Sequence, residues 1–142
     1  MAEEAGGIWL SRSDREGLTA MTVDHIRLSY GYLDARNLDA LGSLYAADVV
    51  RLLLGLDPIV GRDTLIDFYR EQFARYGSRH TVDEVIAAGR RMSVRGRVTV
   101  LWCDAEPIDI VFVDLFGVGG DGLLTAQQTF YFVAPTDKAI TP

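Results

Sequence analysis

Four acidic residues interrupt one of the most apolar stretches of the chain, LWCDAEPIDIVFVDLF at 101–116. They are Asp104, Glu106, Asp109 and Asp114. A carboxylate costs several kcal/mol to bury unless it is paired, hydrogen-bonded or protonated. A buried acid whose proton affinity is shifted by its surroundings is suited to acid–base chemistry. Glu106 and Asp109 flank a predicted turn and are expected in solvent, so Asp104 and Asp114 are the candidates.

Side-chain alternation along two strands indicates where these two candidates point. Successive side chains of a strand lie on opposite faces, so Trp102 shares a face with Asp104, and Phe112 shares a face with Asp114. If the Trp102 face looks inward, both acids project into the interior of the protein. The alternatives are that Asp104 is a strand-end or turn acid in solvent, and that Asp114 is an outward residue on a half-exposed sheet.

A histidine and a third acid form a second candidate group. His80 stands at the start of a predicted strand, just after a predicted helix ends, where the floor or rim of a pocket would lie. Asp34 lies near the end of the first helix, where an acid is unfavourable beside the negative end of the helix dipole, which favours a specific partner. A histidine–carboxylate pair can move a proton near neutral pH, with the acid fixing the ring tautomer. The alternatives are a structural or surface histidine and a solvated helix end; His25 is interpreted as structural.

Aromatic residues accompany these groups on the same predicted faces. Tyr30 lies one helical turn before Asp34 and shares its face. The other candidates for a substrate-binding surface are Tyr69, Trp102, Phe112 and Tyr131. Aromatic residues at helical or strand spacing also pack in cores, so their presence alone does not distinguish a binding pocket from a core.

The elements that must position these residues follow from hydrophobic periodicity. A spacing of three and four residues predicts helices early in the chain, and a period of two predicts strands after Gly77. Helices followed by an antiparallel run of strands indicate an α+β domain in which a curved sheet packs against the helices. The predicted helices are 13–35, 38–46 and 61–77, and the predicted strands are 49–56, 79–88, 92–103, 107–118 and 123–134.

Composition narrows the functional classes. The 142 residues are the usual size of one domain, predicted to span 1–142 with a core at about 13–134 and flexible tails at 1–10 and 135–142. A net charge of −6 argues against nucleic-acid binding, and one cysteine excludes an internal disulfide. The chain has no apolar run long enough to cross a membrane and no cluster at metal-ligand spacing or phosphate-binding glycine loop. A cytoplasmic protein without metal, cofactor or membrane contact is therefore predicted.

The order of elements, with LDARNLDALGSLYAADVV and PIVGRDTLIDFY, resembles the NTF2-like superfamily. More narrowly it resembles the group of ketosteroid isomerases, scytalone dehydratases and SnoaL-like polyketide cyclases. The resemblance covers about residues 22–133, and its most specific parts are YAAD and GRDTLIDFY. It implies a cone in which three N-terminal helices pack against a curved, mainly antiparallel sheet. It identifies a fold that hosts many reactions, so the reaction must be argued from the site.

Only some of the functional residues of these relatives are matched in this sequence. Asp34 matches the catalytic aspartate of the dehydratases, and His80 matches one of their catalytic histidines. The second dehydratase histidine falls at Asp104, which is a departure. Asp114 stands where the isomerases have an acid and the dehydratases an asparagine. The general base of the isomerases falls at Leu53, which argues against their ordinary mechanism and makes Leu53 a candidate binding residue instead.

Together with these residues, the resemblance implies a cofactor-independent dehydratase, cyclase or isomerase acting on a hydrophobic, polyketide-type molecule. His80, held by Asp34, would move a proton, and Asp104 would be the complementary acid or base. Asp114, kept protonated by apolar surroundings, would donate a hydrogen bond to a developing oxyanion. Loss of water followed by addition of a hydroxyl to the alkene would form a cyclic ether.

Two other functions remain open at this stage. Epoxide opening by an acid pair would be favoured if Asp104 and Asp114 faced each other while His80 lay outside the pocket. In a non-catalytic binding module, the acids would serve structure alone. An apolar patch on the outer face of the sheet further predicts a homodimer. The patch comprises Leu101, Val111, Val113 and Phe130.

Overall fold

The chain forms two helices, two strands and a third helix in that order, and four further strands complete it. The structure is a computed structural model that describes residues 12–132, so the tails predicted at 1–10 and 135–142 lie outside the described residues. The helices are α1 (Arg12–Asp34), α2 (Leu38–Gly42) and α3 (Arg62–Gln72). The strands are β1 (Tyr45–Leu53), β2 (Ile59–Val60), β3 (Tyr76–Ala88), β4 (Arg91–Trp102), β5 (Ile108–Val118) and β6 (Leu124–Phe132).

The six strands form one sheet in the order β2-β1-β6-β5-β4-β3. Strands β3 to β6 form an antiparallel meander, and the short β2 pairs antiparallel with β1. Only the β1–β6 pair is parallel. The predicted α+β fold, with three helices against a mainly antiparallel sheet, is confirmed.

Several predicted boundaries shift at the junctions of helix and strand. Helix α2 ends at Gly42, capped at its start by Asn37, and β1 begins at Tyr45 because Tyr45 pairs with β6. Helix α3 ends at Gln72, so the prediction that Gly77 ends it was wrong. Gly77 lies within β3, which starts at Tyr76 opposite Trp102, with the two rings 5.1 Å apart. The two-residue strand β2 was not predicted.

Local irregularities bend the sheet around its inner face. Register shifts occur in β3 between Val82 and Glu84, and between Gly117 and Val118 at the end of β5. Such bulges increase strand bending and twist. Gly96 of β4 lies opposite Val82 of β3. It has no room for a side chain, because an added Cβ would lie 2.9 Å from the Phe112 ring. The sheet therefore wraps closely around Phe112 at the base of its concave face.

The hydrophobic core lies between the helices and the sheet. Ile26 of α1, Leu65 of α3 and Leu124 of β6 are fully buried there. Helix α3 presents an apolar stripe, with Leu65 and Tyr69 buried and Phe68 and Phe73 packed partly against the core. The stripe thus contributes to the core.

Candidate active site

A cavity of about 400 Å³ lies between the helices and the concave face of the sheet. Its walls come from α1, α3 and all strands except β2, and they are mainly apolar and aromatic. This size falls within the range of small-molecule pockets. The six predicted binding residues all line the cavity: Tyr30, Leu53, Tyr69, Trp102, Phe112 and Tyr131.

The predicted contact between Asp34 and His80 is present at one side of the cavity. Asp34 Oδ1 lies 2.6 Å from His80 Nδ1, and Asp34 Oδ2 accepts a hydrogen bond of 2.7 Å from the His80 backbone N–H. The hydroxyl of Ser78 also donates to Asp34, at 2.7 Å. Asp34 is the last residue of α1, and β3 brings Ser78 and His80 to it. The acid at the helix end is therefore held by three donors from the neighbouring strand.

These contacts determine the tautomer and the position of the His80 imidazole. Burial raises the pKa of Asp34, but the hydrogen bonds and charge of His80 outweigh burial, so the pKa lies below its ordinary value of 3.8. An ionised Asp34 can only accept, which places a proton on His80 Nδ1 and leaves Nε2 as the other functional atom. The His80 ring is held between Tyr30 and Phe112, with ring centroids 5.0 Å and 5.6 Å away. His80 lines the cavity, so Nε2 is suited to exchange a proton with a bound molecule.

The lowered pKa of Asp34 predicts how stability depends on pH. A carboxyl group with a lower pKa in the folded state stabilises that state fully above its unfolded pKa. This contribution is lost as the pH falls through the folded pKa. The advantage in unfolding free energy of the wild type over Asp34→Asn should therefore decrease below about pH 5. Urea unfolding of both proteins across acidic pH measures this, and an advantage that grows as the pH falls would contradict the predicted direction.

Asp114 lies at the centre of a second polar network, deep in the same cavity. Its residue is only 2% exposed. Tyr30 Oη donates to Oδ2 at 2.5 Å, Gln127 Nε2 donates to Oδ2 at 3.1 Å, and Thr129 Oγ1 donates to Oδ1. Tyr45 in turn donates to Gln127 Oε1 at 3.2 Å. The inward orientation predicted for Asp114 is correct.

The chemical role predicted for Asp114 does not fit this network. Both of its oxygens accept hydrogen bonds from buried donors, whereas a donor to an oxyanion must present a proton to the cavity. Thr129 receives a hydrogen bond from Arg51, so the proton of its hydroxyl is directed at Asp114. Three donors converging on one carboxyl group match an acceptor. Asp114 therefore organises the residues around it rather than donating to a substrate.

Arg51 is the main functional candidate that the sequence interpretation missed. It is 5% exposed and lines the cavity from β1. Its Nη1 donates to Thr129 at 2.6 Å and its Nε donates to the Tyr69 hydroxyl at 3.3 Å. Burial lowers the pKa of Arg51, but the nearby Tyr69 and Asp114 outweigh burial and raise it, so the guanidinium stays charged. A lone arginine inside the apolar run VVRLLLGL was the signal that could have identified it.

Two tyrosines supply hydroxyl groups to the cavity. Burial raises the pKa of Tyr131 to about 12 and also raises the pKa of Tyr76, so both remain protonated at neutral pH. Within residues 12–132 neither hydroxyl has a hydrogen-bond partner, and both residues line the cavity. They can therefore donate hydrogen bonds to an oxygen of a bound molecule.

Asp104 does not join the site, and the prediction that it points inward was wrong. Strand β4 ends at Trp102, so the alternation of side chains does not extend to Asp104. Asp104 lies in an exposed bend and does not line the cavity. The alternative of a turn acid in solvent is the correct one.

The described part of the chain contains neither a metal-ligand cluster nor a membrane-spanning helix. No cluster of three or more potential metal ligands occurs within residues 12–132. No helix in this range has the length and hydropathy needed to span a bilayer.

Comparison with known proteins agrees with this fold. The family model for the SnoaL-like domain matches residues 26–127, which is more than half of the chain. The chain therefore belongs to the SnoaL-like family, within the NTF2-like fold that the sequence resemblance implied. No curated protein sequence matches it.

Solved structures share the fold at low sequence identity. An LEH-like epoxide hydrolase of M. tuberculosis superposes with a TM-score of 0.75 at 16% identity, covering 85% of this chain and 90% of that one. A protein from Jannaschia sp. CCS1 assigned as a SnoaL-like polyketide cyclase gives 0.72 at 16% identity, covering 88% and 91%. A protein from Kribbella flavida assigned as a ketosteroid isomerase gives 0.67 at 23% identity, covering 87% and 89%.

Proposed function

We propose that this protein is a cofactor-independent enzyme, a dehydratase, cyclase or isomerase, that moves protons on a hydrophobic, oxygenated small molecule of polyketide type. The observation that carries the proposal is the Asp34–His80 pair, which faces a cavity of small-molecule size. The family includes proteins assigned as polyketide cyclases and ketosteroid isomerases, which supports an enzymatic role.

The first step of the proposed reaction is proton removal by His80. Its Nε2 takes a proton from a carbon next to a carbonyl group, and the electron pair of the C–H bond moves into the carbonyl to form an enolate. Asp34 stabilises the imidazolium that results, because its carboxylate already accepts the Nδ1–H bond. Tyr76 and Tyr131 are the candidates to donate hydrogen bonds to the enolate oxygen.

The same nitrogen can complete the reaction in either of two ways. Return of the proton to another carbon isomerises the substrate. Return of the proton to a hydroxyl on the β-carbon releases water as the enolate electrons form an alkene, and addition of a second hydroxyl to that alkene closes a cyclic ether. Each route uses proton transfers alone, so neither needs the exposed Asp104 as a complementary acid.

The geometry disfavours the epoxide-opening alternative. Epoxide opening would be favoured if Asp104 and Asp114 faced each other across the cavity while His80 lay outside it. Asp104 is exposed and His80 lines the cavity, which is the reverse arrangement. The non-catalytic binding module is the remaining alternative, and a measurement of catalytic activity distinguishes it from the proposed enzyme.

Exchange of carbon-bound hydrogen for deuterium tests the proposal without knowledge of the natural substrate. The wild-type protein is expected to accelerate deuterium incorporation next to the carbonyl of β-tetralone in D₂O, followed by proton NMR. A panel of aryl β-hydroxy ketones then tests for loss of water by the absorbance of the conjugated enone. Absence of acceleration on all of these compounds, together with a partner protein that co-purifies, would favour the binding module.

We also propose that the protein is a homodimer formed through the outer face of the sheet. Val111, Leu115, Phe130 and Phe132 on β5 and β6 are each between 42% and 56% exposed, and they form one apolar patch. A second copy presenting the same patch would cover it. Light scattering is expected to give twice the mass of one chain for the wild type and the mass of a single chain for Phe130→Asp. A monomeric wild type at micromolar concentration would contradict the proposal.

A further inference from the structure

The guanidinium of Arg51 is only partly used by the protein. Nε and Nη1 donate to Tyr69, Thr129 and the Leu52 carbonyl, whereas Nη2 has no hydrogen-bond partner among the described residues. No buried side-chain nitrogen or oxygen in the described part of the chain lacks a partner. Nη2 is therefore accessible, and since Arg51 is 95% enclosed and lines the cavity, the accessible space is the cavity.

The charged residues that line the cavity also favour an anionic ligand. The lining contains two arginines, Arg51 and Arg75, and a single carboxylate, Asp114. The chain as a whole carries a net charge of −6, whereas the cavity lining has one more arginine than carboxylates. The carboxylate of Asp34 is directed at His80 and Ser78. This excess of cationic side chains in the lining favours a negatively charged ligand over a positively charged one.

A series of side-chain contacts connects His80 to Arg51. The His80 ring packs on Tyr30, and the Tyr30 hydroxyl donates to Asp114. Asp114 accepts from Thr129, which accepts from Arg51. Thr129 and Asp114 hold the guanidinium in place from one side, which fixes the direction of Nη2. A preorganised cation at a fixed position relative to a base is suited to orient a substrate.

We infer that the substrate carries an acidic oxygen, as a carboxylate, phenolate or enolate, and that Arg51 binds this oxygen while the carbon to be deprotonated lies at His80. The inference rests on the proposed function only for the part of the substrate that reacts. The anion site itself depends on Arg51 and the enclosing cavity. Arg51 is thus a binding residue that determines specificity for anionic molecules over neutral ones of the same shape.

Binding of a matched pair of probes tests the inference independently of turnover. β-Naphthoate and β-naphthamide have nearly the same size and shape, but only the first is an anion at neutral pH. Titration calorimetry with the wild-type protein is expected to show at least roughly tenfold tighter binding of the naphthoate, since a hydrogen bond to a charged group is stronger than one to a neutral group. Equal binding, tighter binding of the amide, or no measurable binding of either probe at millimolar concentration would overturn the inference.

Three variants assign the preference to Arg51. Arg51→Gln is expected to remove the preference for the naphthoate, and Arg51→Lys to retain part of it. Arg75→Gln, at the exposed mouth of the cavity, is the matched control and should keep the preference. A preference that survives in folded Arg51→Gln, or that is lost in Arg75→Gln instead, would overturn the assignment. If Arg51→Gln does not fold, Arg51→Lys and the wild type still decide it.

A fourth variant separates this inference from the proposed reaction. His80→Ala should retain the naphthoate preference whether or not the protein catalyses proton transfer. If the wild type lacks exchange activity but prefers the anion, the proposed reaction fails and the anion site remains. If exchange depends on His80 but the amide binds equally well, the reaction remains and the anion site fails.

Discussion

Replacing His80 by alanine is expected to slow deuterium exchange on β-tetralone by roughly a hundredfold to ten-thousandfold, the usual contribution of a general base. Nε2 of His80 is the atom that takes the proton in the proposed reaction, and alanine leaves nothing in its place. Asp34→Asn is expected to lose a comparable factor. An asparagine amide can donate to Nδ1 and so favour the tautomer with its proton on Nε2, which cannot act as the base. The measurement is the initial exchange rate at saturating ketone.

Two substitutions serve as controls for these variants. Asp104→Asn changes an exposed acid outside the cavity and should leave the exchange rate unchanged. His25→Gln removes the other histidine of the chain, whose Nδ1 lies 3.1 Å from the Gly122 carbonyl on the β5–β6 turn. It too should retain full activity. Full exchange by folded His80→Ala would refute the proposed mechanism, and so would a loss in Asp104→Asn as large as that in Asp34→Asn.

Asp114→Ala is expected to have the largest effect on stability, a loss of about 3–5 kcal/mol in the free energy of unfolding. Three buried donors, from Tyr30, Gln127 and Thr129, would lose their acceptor. The buried charge of Arg51 would also lose the carboxylate that balances it through Thr129. Unpaired buried donors and charges are among the few causes of such large effects. Urea unfolding at neutral pH measures the change.

The same strand offers a matched control. Asp109 is exposed on β5 and accepts a hydrogen bond from Thr99, so Asp109→Ala should cost no more than about 1 kcal/mol. Asp114→Asn, which keeps the shape but removes the charge, is expected to fall between the two. If Asp114→Ala unfolds at the same urea concentration as Asp109→Ala, the buried network does not stabilise the fold.

The sequence predicted the architecture well because its periodic segments are long. Strands β3, β4 and β5 span 13, 12 and 11 residues, and α1 spans 23. Errors fall at junctions, where pairing with a distant strand decides the boundary. Tyr45 joins β1 because Leu124 lies beside it, and Tyr76 starts β3 because Trp102 lies opposite. Neither partner can be identified from local sequence.

The candidate site was predicted in part, for similar reasons. The Asp34–His80 contact followed from an acid in an unfavourable helical position and from the family resemblance. Asp104 was assigned wrongly because the alternation was extended two residues beyond the end of its strand. Arg51 was missed because a single charged residue in a strand can face either solvent or the interior. Only the positions of Thr129 and Tyr69 show that the interior can hold it.

Apolar residues outside the two polar networks form part of the cavity wall. Leu54 and Leu56 of the β1–β2 connection and Phe68 and Phe73 at α3 contribute side chains that cannot form hydrogen bonds with the Asp34 or Asp114 networks. Substitutions at these positions can alter which molecules enter while the buried polar groups keep their geometry. Substrate preference can therefore diverge among homologues by changes in this apolar wall, without loss of the groups proposed to move the proton.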